Sequence, residues 1–116
     1  MHDPREPHFQ RLRHILRCLK GTLDYGLQLY SSSINGFVAY SDADWAGCLD
    51  DRWSTDGFAI FLSANLVSWS SRKHKTVSLS STESEYKALA NTAAEITLLR
   101  SLLTELCFPL RSPPYL

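Results

Sequence analysis

The sequence has few of the residues that mark redox, zinc or membrane proteins. Only three cysteines occur, at positions 18, 48 and 107, and no pair of Cys or Cys and His has a metal-ligand spacing. A disulfide framework and a zinc-finger site are therefore excluded. No apolar run approaches the roughly 20 residues that span a membrane, and residues 1–7 lack a signal-peptide core. We expect an intracellular protein in a reducing compartment, with no membrane partner.

The chain also lacks a net charge, since 12 basic and 12 acidic residues balance. Its charges are nevertheless segregated. The acidic residues of segment 31–60 are Asp42, Asp44, Asp50, Asp51 and Asp56, against one basic residue, Arg52. Basic residues cluster in two places: Arg11, Arg13, Arg17 and Lys20, then Arg72, Lys73, His74 and Lys75. Basic clusters beside an acidic region fit a protein that binds a phosphate backbone together with a divalent metal. They equally fit an ordinary mixed surface.

Hydrophobic periodicity predicts a mixed α+β domain in a chain of 116 residues, of which 44% are hydrophobic. Apolar residues at helical spacing predict an amphipathic helix over 8–20 with a basic outer face, and a long helix over 82–106. Alternating or continuous apolar runs predict strands near 24–30, 36–43, 57–63 and 66–71. We expect these strands to join one sheet, with the long helix packed across it.

Two carboxylates end the strand predicted over 36–43. Because side chains alternate along a strand, Asp42 and Asp44 lie on the same face. Like charges so placed repel each other unless a cation or a donor lies between them, and Mg²⁺ prefers oxygen ligands of this kind. The structural alternative is a solvated turn, since Asp, Ala and Gly suit loops.

A third carboxylate, Glu85, lies in the first turn of the long helix, just after the capping-box sequence Ser80–Glu83. It precedes Leu89 by four residues, which predicts that it is in line with the buried stripe of the helix. An acidic residue in a first helical turn is favoured by the helix dipole alone. The functional alternative is that Glu85 faces a metal at the edge of the sheet.

Four short motifs occur in order: Tyr40–Gly47 (YSDADWAG), Ser54–Phe58 (STDGF), Ser68–Lys73 (SWSSRK) and Ser80–Tyr86 (SSTESEY). Together they resemble the ribonuclease H domain of copia-type retrotransposon Pol polyproteins. That resemblance covers residues 36–116. Residues 1–35 resemble the segment that connects the reverse transcriptase to this domain in the same polyproteins.

The resemblance implies a ribonuclease H-like fold that hydrolyses the RNA strand of RNA–DNA hybrids with two Mg²⁺ ions. It implies that Asp42 and Glu85 are the catalytic, metal-binding residues, with Asp44 as the runner-up for Asp42. The basic residues Arg72, Lys73 and Lys75 would bind nucleic acid. An RNA–DNA hybrid is the expected partner, and no small-molecule substrate is expected. If Asp42 and Glu85 share one Mg²⁺, their carboxylates lie about 4–6 Å apart, given Mg–O distances of about 2.1 Å.

The family's third carboxylate is an Asp at the end of a fourth strand, and no Asp follows Asp56 in this sequence. Tyr115 and Leu116 look like the first two residues of that strand. We therefore expect a C-terminally truncated domain that holds at most one Mg²⁺ weakly and is inactive as it stands. The alternative is a catalytically inactive retroelement remnant that is at most a weak nucleic-acid-binding module. The sequence also departs from the family in carrying Asp56 where a small hydroxyl residue is usual.

Overall fold

The computed structural model describes residues 5–31, 33, 35–47, 52–74, 78–108 and 110–116. Within them the chain forms a mixed α/β structure with five elements. These are α1 (Glu6–Gly21), β1 (Phe37–Asp44), β2 (Thr55–Leu62), β3 (Asn65–Lys73) and α2 (Ser81–Glu105). Three predicted strands and both predicted helices are thus confirmed, with bounds shifted by a few residues.

The strands form one antiparallel meander in the order β1-β2-β3. In its register Ala39 lies opposite Ile60, and Asp42 lies opposite Gly57. Phe37, Ala39 and Ile60 are buried and pack with Ile96 of α2, which confirms that the long helix lies across the sheet. Burial of this apolar surface is the main force that holds α2 on the sheet.

The strand predicted near 24–30 is wrong, because no strand is formed there. The backbone of Tyr30 instead bonds the side chain of Asn65: its N–H donates to Oδ1 at 2.7 Å and its C=O accepts from Nδ2 at 2.9 Å. Leu27 and Leu29 are exposed. Residues with alternating polarity form a strand only where a neighbouring strand offers backbone hydrogen-bonding groups. Here the side chain of Asn65 bonds the backbone of Tyr30 instead.

The end of the chain lies beside β1, as the predicted start of a further strand requires. Tyr115 forms a parallel bridge with Val38. The N–H of Ala39 donates to the C=O of Tyr115 at 2.9 Å, and the N–H of Tyr115 donates to the C=O of Phe37 at 3.0 Å. The edge of β1 is therefore paired in its first half.

Helix α2 begins at the predicted N-cap residue, Ser80, although the Glu83 carboxylate bonds the residue before the cap. The Oγ of Ser80 accepts from the N–H of Glu83 at 3.1 Å, and the Glu83 carboxylate accepts from the N–H of Leu79 at 2.7 Å. Glu83 also pairs with Lys87 one turn later, at 2.6 Å. The hydrogen bond from Lys87 and that from Leu79 hold the pKa of Glu83 below its ordinary value. This contribution to stability is present above the ordinary pKa of Glu and is lost as the pH falls through the lowered value.

The Ser80→Ala variant should be less stable than the wild type by about 1 kcal/mol, because the first turn of α2 loses its side-chain acceptor. Urea unfolding followed by circular dichroism measures this free energy. Ser101→Ala is the matched control, since Ser101 lies near the C-terminal end of α2 and bonds only back to the C=O of Thr97 among the contacts described. An equal loss in both variants would contradict a specific role for the cap.

Helix α1 contacts no other helix or strand of the described residues. Its apolar side chains remain about half exposed, among them Phe9 at 50% and Ile15 at 55%. The predicted amphipathic pattern is confirmed, with Arg11, Arg13, Arg17 and Lys20 also exposed. No helix in the described part of the chain is long and apolar enough to cross a membrane.

Candidate metal and nucleic-acid site

A cavity of about 300 Å³ lies between the second half of β1 and the first turns of α2. Its lining residues are Ser41, Asp42, Ala43, Glu85, Ala88 and Leu89. The two acidic residues singled out from the sequence thus both line one space, although 43 positions separate them in the chain. Both side chains are exposed, so water and ions have access to them.

Strand β1 presents Asp42 at its open edge. Alternation along the strand directs Phe37 and Ala39 toward the core under α2 and Asp42 to the opposite face. Asp42 nevertheless borders the cavity, together with its neighbours Ser41 and Ala43. Its cross-strand neighbour is Gly57, which has no side chain to cover the carboxylate. The Tyr115 bridge lies at Val38 and leaves the edge beside Asp42 open among the described residues.

A hydrogen bond joins the segment after β1 to the residues before α2. The indole N–H of Trp45 donates to the C=O of Ser78 at 2.9 Å. The N–H of Ala46 donates to the Oγ of Ser54, which is fully buried, at 3.2 Å. The first bond links the chain that follows Asp42 to the residues that precede Glu85, and the second links the same segment to the start of β2.

Glu85 lies beside the buried row of α2, and the prediction that it is in line with that row is wrong. The buried residues of α2 are Ser84, Ala88, Thr92 and Ile96. Leu89, which marks the predicted buried stripe, is 39% exposed. Small side chains let the helix approach the sheet closely at its N-terminal end, so the contact row there is built from Ser, Ala and Thr. The offset leaves Glu85 at the border of the contact, where it lines the cavity.

Asp44, the runner-up, does not line this cavity. Its carboxylate packs against Gly47, where any added Cβ would collide with it. The glycine three residues after Asp44 is therefore explained by the tight packing of the segment after β1. This agrees with the structural alternative given above, in which Asp44 belongs to a solvated turn. Within the described residues no group of three or more His, Cys, Asp or Glu side chains could hold a metal ion.

The basic residues Arg72 and Lys73 end β3 and are exposed. The ammonium group of Lys73 lies 5.1 Å from the ring centre of Trp53, a cation–π contact that links β3 to the start of β2. Lys75, the third residue predicted to bind nucleic acid, lies outside the described residues. Arg72 and Lys73 do not line the cavity of Asp42 and Glu85.

One polar cluster was missed by the sequence interpretation. Asp56 in β2 is 8% exposed, accepts a hydrogen bond from the Nδ2 of Asn91 at 2.7 Å, and lies 2.9 Å from the Nε2 of His74. The sequence marked Asp56 as an acidic residue that departs from the family pattern and predicted no partner for it. Its partners in α2 and after β3 are separated from it by 35 and 18 positions, and no local periodicity relates them.

No family model and no solved structure matches the chain. Curated proteins do. The chain is similar over almost its whole length to retrovirus-related Pol polyproteins of copia-type transposons. The Pol polyproteins of transposons RE2 and RE1 of Arabidopsis thaliana are 47% and 49% identical to it over 114 residues, which is 98% of this chain. The chain spans 8% of the length of each of these two polyproteins.

A shorter relative is covered more fully. The Secreted RxLR effector protein 161 of Plasmopara viticola is 45% identical over 97 residues, or 84% of this chain and 68% of that protein. The likeness to transposon Pol polyproteins, which the four motifs predicted, therefore covers almost the whole of this chain and a short segment of each polyprotein.

Proposed function

We propose that the chain is part of a ribonuclease H-like domain of a retrotransposon Pol polyprotein. In complete form such a domain would hydrolyse the RNA strand of RNA–DNA hybrids with two Mg²⁺ ions. The observation that supports this best is that Asp42 and Glu85 line one accessible cavity between β1 and the first turns of α2. The meander of three antiparallel strands followed by the long helix is the element order expected of that fold.

The donor atoms at the cavity suit a hard cation. Asp42 and Glu85 offer carboxylate oxygens, and none of the described lining residues offers a sulfur or imidazole ligand. Mg²⁺ is held in this way, by one or two carboxylates together with several retained waters. When bound, a pair of such ions activates the attacking water and stabilises the leaving oxygen. The residues at this cavity account for one ion, and a second ion needs at least one further ligand.

The path of the C-terminal residues offers a place for that ligand. Tyr115 pairs with Val38 in parallel, so a strand that continued beyond Leu116 would run along Tyr40–Asp44. A carboxylate on such a strand would enter the cavity beside Asp42. This placement supports the interpretation that the third family carboxylate belongs on a fourth strand.

Hybrid binding would use the exposed cations Arg72 and Lys73 at the end of β3. Contacts of this kind go to phosphates and position a duplex without reading its sequence. Discrimination of RNA from DNA then relies on the 2′-hydroxyl and on helix shape. The alternative is a catalytically inactive protein that binds nucleic acid through the same cations and does not hydrolyse it. This alternative is favoured because two acidic residues, among those the structure describes, line the cavity.

The metal site is tested with Mn²⁺, which accepts the same oxygen ligands as Mg²⁺ and broadens the NMR signals of nearby nuclei. Mn²⁺ is expected to broaden the amide signals of Asp42 and Glu85 first, and excess Mg²⁺ should reverse the effect. Asp42→Asn should weaken Mn²⁺ binding at least about tenfold. Loss of a residue that only hydrogen-bonds to a metal ligand already lowers metal affinity about 10–100-fold, and loss of the ligand itself should lower it no less.

Asp24→Asn is the matched control, since Asp24 is exposed and lies far from the cavity in sequence. Uniform broadening of all exposed carboxylates, or unchanged binding in Asp42→Asn, would contradict the proposed metal site. The same titration with Asp44→Asn decides between the first choice and the runner-up. A crystal with bound Mn²⁺ would measure the separation of the Asp42 and Glu85 carboxylates, which stays a prediction.

A further inference from the structure

Asp56 is a nearly buried carboxylate that the proposed metal site does not use. It lies on the face of β2 that is covered by α2, in a second cavity of about 590 Å³ that is separate from the cavity of Asp42 and Glu85. Its Oδ2 accepts from the Nδ2 of Asn91 at 2.7 Å and lies 2.9 Å from the Nε2 of His74. A buried carboxylate is costly without such partners, so these two contacts account for its position.

His74 is the residue through which Asp56 reaches the basic end of β3. The N–H of His74 donates to the C=O of Ser54 at 2.8 Å, which fixes the backbone just after Lys73. The imidazole then turns inward to Asp56. The Nε2 atom is buried and makes no well-aligned hydrogen bond to any described residue, despite its 2.9 Å distance from the carboxylate. The contact is therefore held by charge more than by hydrogen-bond geometry.

The charge of His74 decides the strength of that contact. A neutral imidazole meets the Asp56 carboxylate as a dipole, whereas an imidazolium forms an ion pair with it. Histidine changes charge between pH 5 and 8. The charged groups that share the cavity with His74 are Asp56 from β2, Arg72 and Lys73 from β3, and Glu95 from α2, which binds the Oγ of Ser68. Asn91 is the neutral polar neighbour.

We propose that Asp56 is a positioning residue for nucleic-acid binding, which holds the basic end of β3 in place through His74 and does so more firmly when His74 is protonated. The proposal rests on the proposed function, because it assumes that Arg72 and Lys73 contact phosphates. It differs from a direct role of His74 on phosphate. In a direct role, Asp56 opposes binding by its negative charge; in the positioning role, Asp56 supports binding.

Fluorescence anisotropy with an RNA–DNA hybrid, at one low salt concentration and between pH 5.5 and 8, separates the two roles. Wild-type affinity should fall about two- to fivefold as the pH rises, the size expected for a partly exposed ion pair. Asp56→Asn should bind at pH 5.5 as the wild type does at pH 8, with a flat pH profile. His74→Gln should also give a flat profile, and Asp56→Glu should restore the slope.

Asp24→Asn is the control, because it removes one negative charge at an exposed position and should keep the wild-type slope. Tighter binding by Asp56→Asn with an unchanged slope would overturn the positioning role in favour of direct phosphate contact by His74. Circular dichroism identifies any variant that does not fold. His74→Gln, at a partly exposed side chain, keeps the test decisive if Asp56→Asn unfolds.

The NMR signals of the His74 ring give a readout that is independent of the hybrid. At one fixed pH, Asp56→Asn should shift these signals, since the Asp56 carboxylate lies 2.9 Å from the Nε2 of His74, whereas Asp24→Asn should leave them unchanged. Ring signals that Asp56→Asn leaves unchanged would overturn the coupling of the two residues. Absence of hybrid binding by the wild type at every pH would overturn the proposed function and the positioning role together. Normal binding with a pH slope retained in Asp56→Asn would overturn the positioning role alone.

Discussion

Cleavage of an RNA–DNA hybrid is expected to be absent from the 116-residue chain and to appear when the chain is lengthened past Leu116 by a strand that carries a further Asp. In the lengthened chain, Asp42→Asn and Glu85→Gln should each reduce cleavage at least about 100-fold. Loss of an outer partner of a metal ligand already costs about 10–100-fold, and loss of a direct ligand should cost no less. Cleavage of a labelled hybrid in Mg²⁺, resolved on a gel, measures this rate.

The reason lies in the number of ligands. Two-metal hydrolysis requires two ions about 3.5–4 Å apart, each fixed by protein oxygens. Among the described residues, Asp42 and Glu85 are the acidic residues that line the cavity between β1 and α2. The parallel bridge between Tyr115 and Val38 directs any continuing strand along the open edge beside Asp42. The added Asp would therefore supply the ligand that the second ion lacks.

Asp44→Asn in the lengthened chain is the matched control, because it removes the same charge from the same strand face, outside the cavity. It should retain most of the cleavage. Cleavage by the 116-residue chain that Asp42→Asn abolishes would contradict the prediction, since two carboxylates would then suffice. Equal losses of cleavage in Asp42→Asn and Asp44→Asn would indicate that both residues are metal ligands.

Much of the fold could be predicted because its elements carry strong local signals. The strand Phe37–Asp44 begins with an apolar run, and α2 begins at the N-cap residue Ser80, whose Oγ accepts from the N–H of Glu83. The failed strand near 24–30 has good alternation and lacks a partner strand. A strand is stabilised by pairing across a sheet, and a single sequence does not say whether a partner edge is free.

The buried row of α2 shows where prediction from hydrophobic spacing fails. Hydrophobic spacing favoured Tyr86 and Leu89, yet Ser84, Ala88 and Thr92 form the contact with the sheet. Periodicity weights large apolar side chains, whereas close approach of a helix to a sheet requires small ones. Thr92 satisfies its hydroxyl within the helix, by donating to the C=O of Ala88 at 2.7 Å, so its burial leaves no donor unpaired.

The candidate site was predictable in its parts and less so in its arrangement. Asp42 and Glu85 were identified from motif positions, and the structure places both around one cavity. The cluster of Asp56, His74 and Asn91 carries no sequence signal, because its members come from β2, the end of β3 and α2. Only the pairing of strands, which sets Asp56 opposite Arg72, brings the acidic residue to the basic segment.

The second large effect concerns stability. Ile60→Ala should lower the free energy of unfolding by about 2–5 kcal/mol, the cost of deleting a buried aliphatic side chain and leaving a cavity. Ile60 is fully buried between its cross-strand neighbour Ala39 and Ile96 of α2. The buried hydrophobic core is small among the described residues: Phe37, Ala39, Ile60, Ala88 and Ile96. Neighbouring side chains therefore have little means of filling the space.

A total stability of about 5–15 kcal/mol is usual for a domain, so a loss of this size should leave a measurable fraction of the Ile60→Ala protein unfolded. Urea unfolding measures it, with Ile60→Val as the graded variant at about 0.5–1.5 kcal/mol. Leu98→Ala is the matched control, because Leu98 is 62% exposed on α2 and should change stability by no more than about 0.5 kcal/mol. Similar unfolding midpoints for Ile60→Ala and Leu98→Ala would contradict the described core, since the sheet and α2 would then be held together by other contacts.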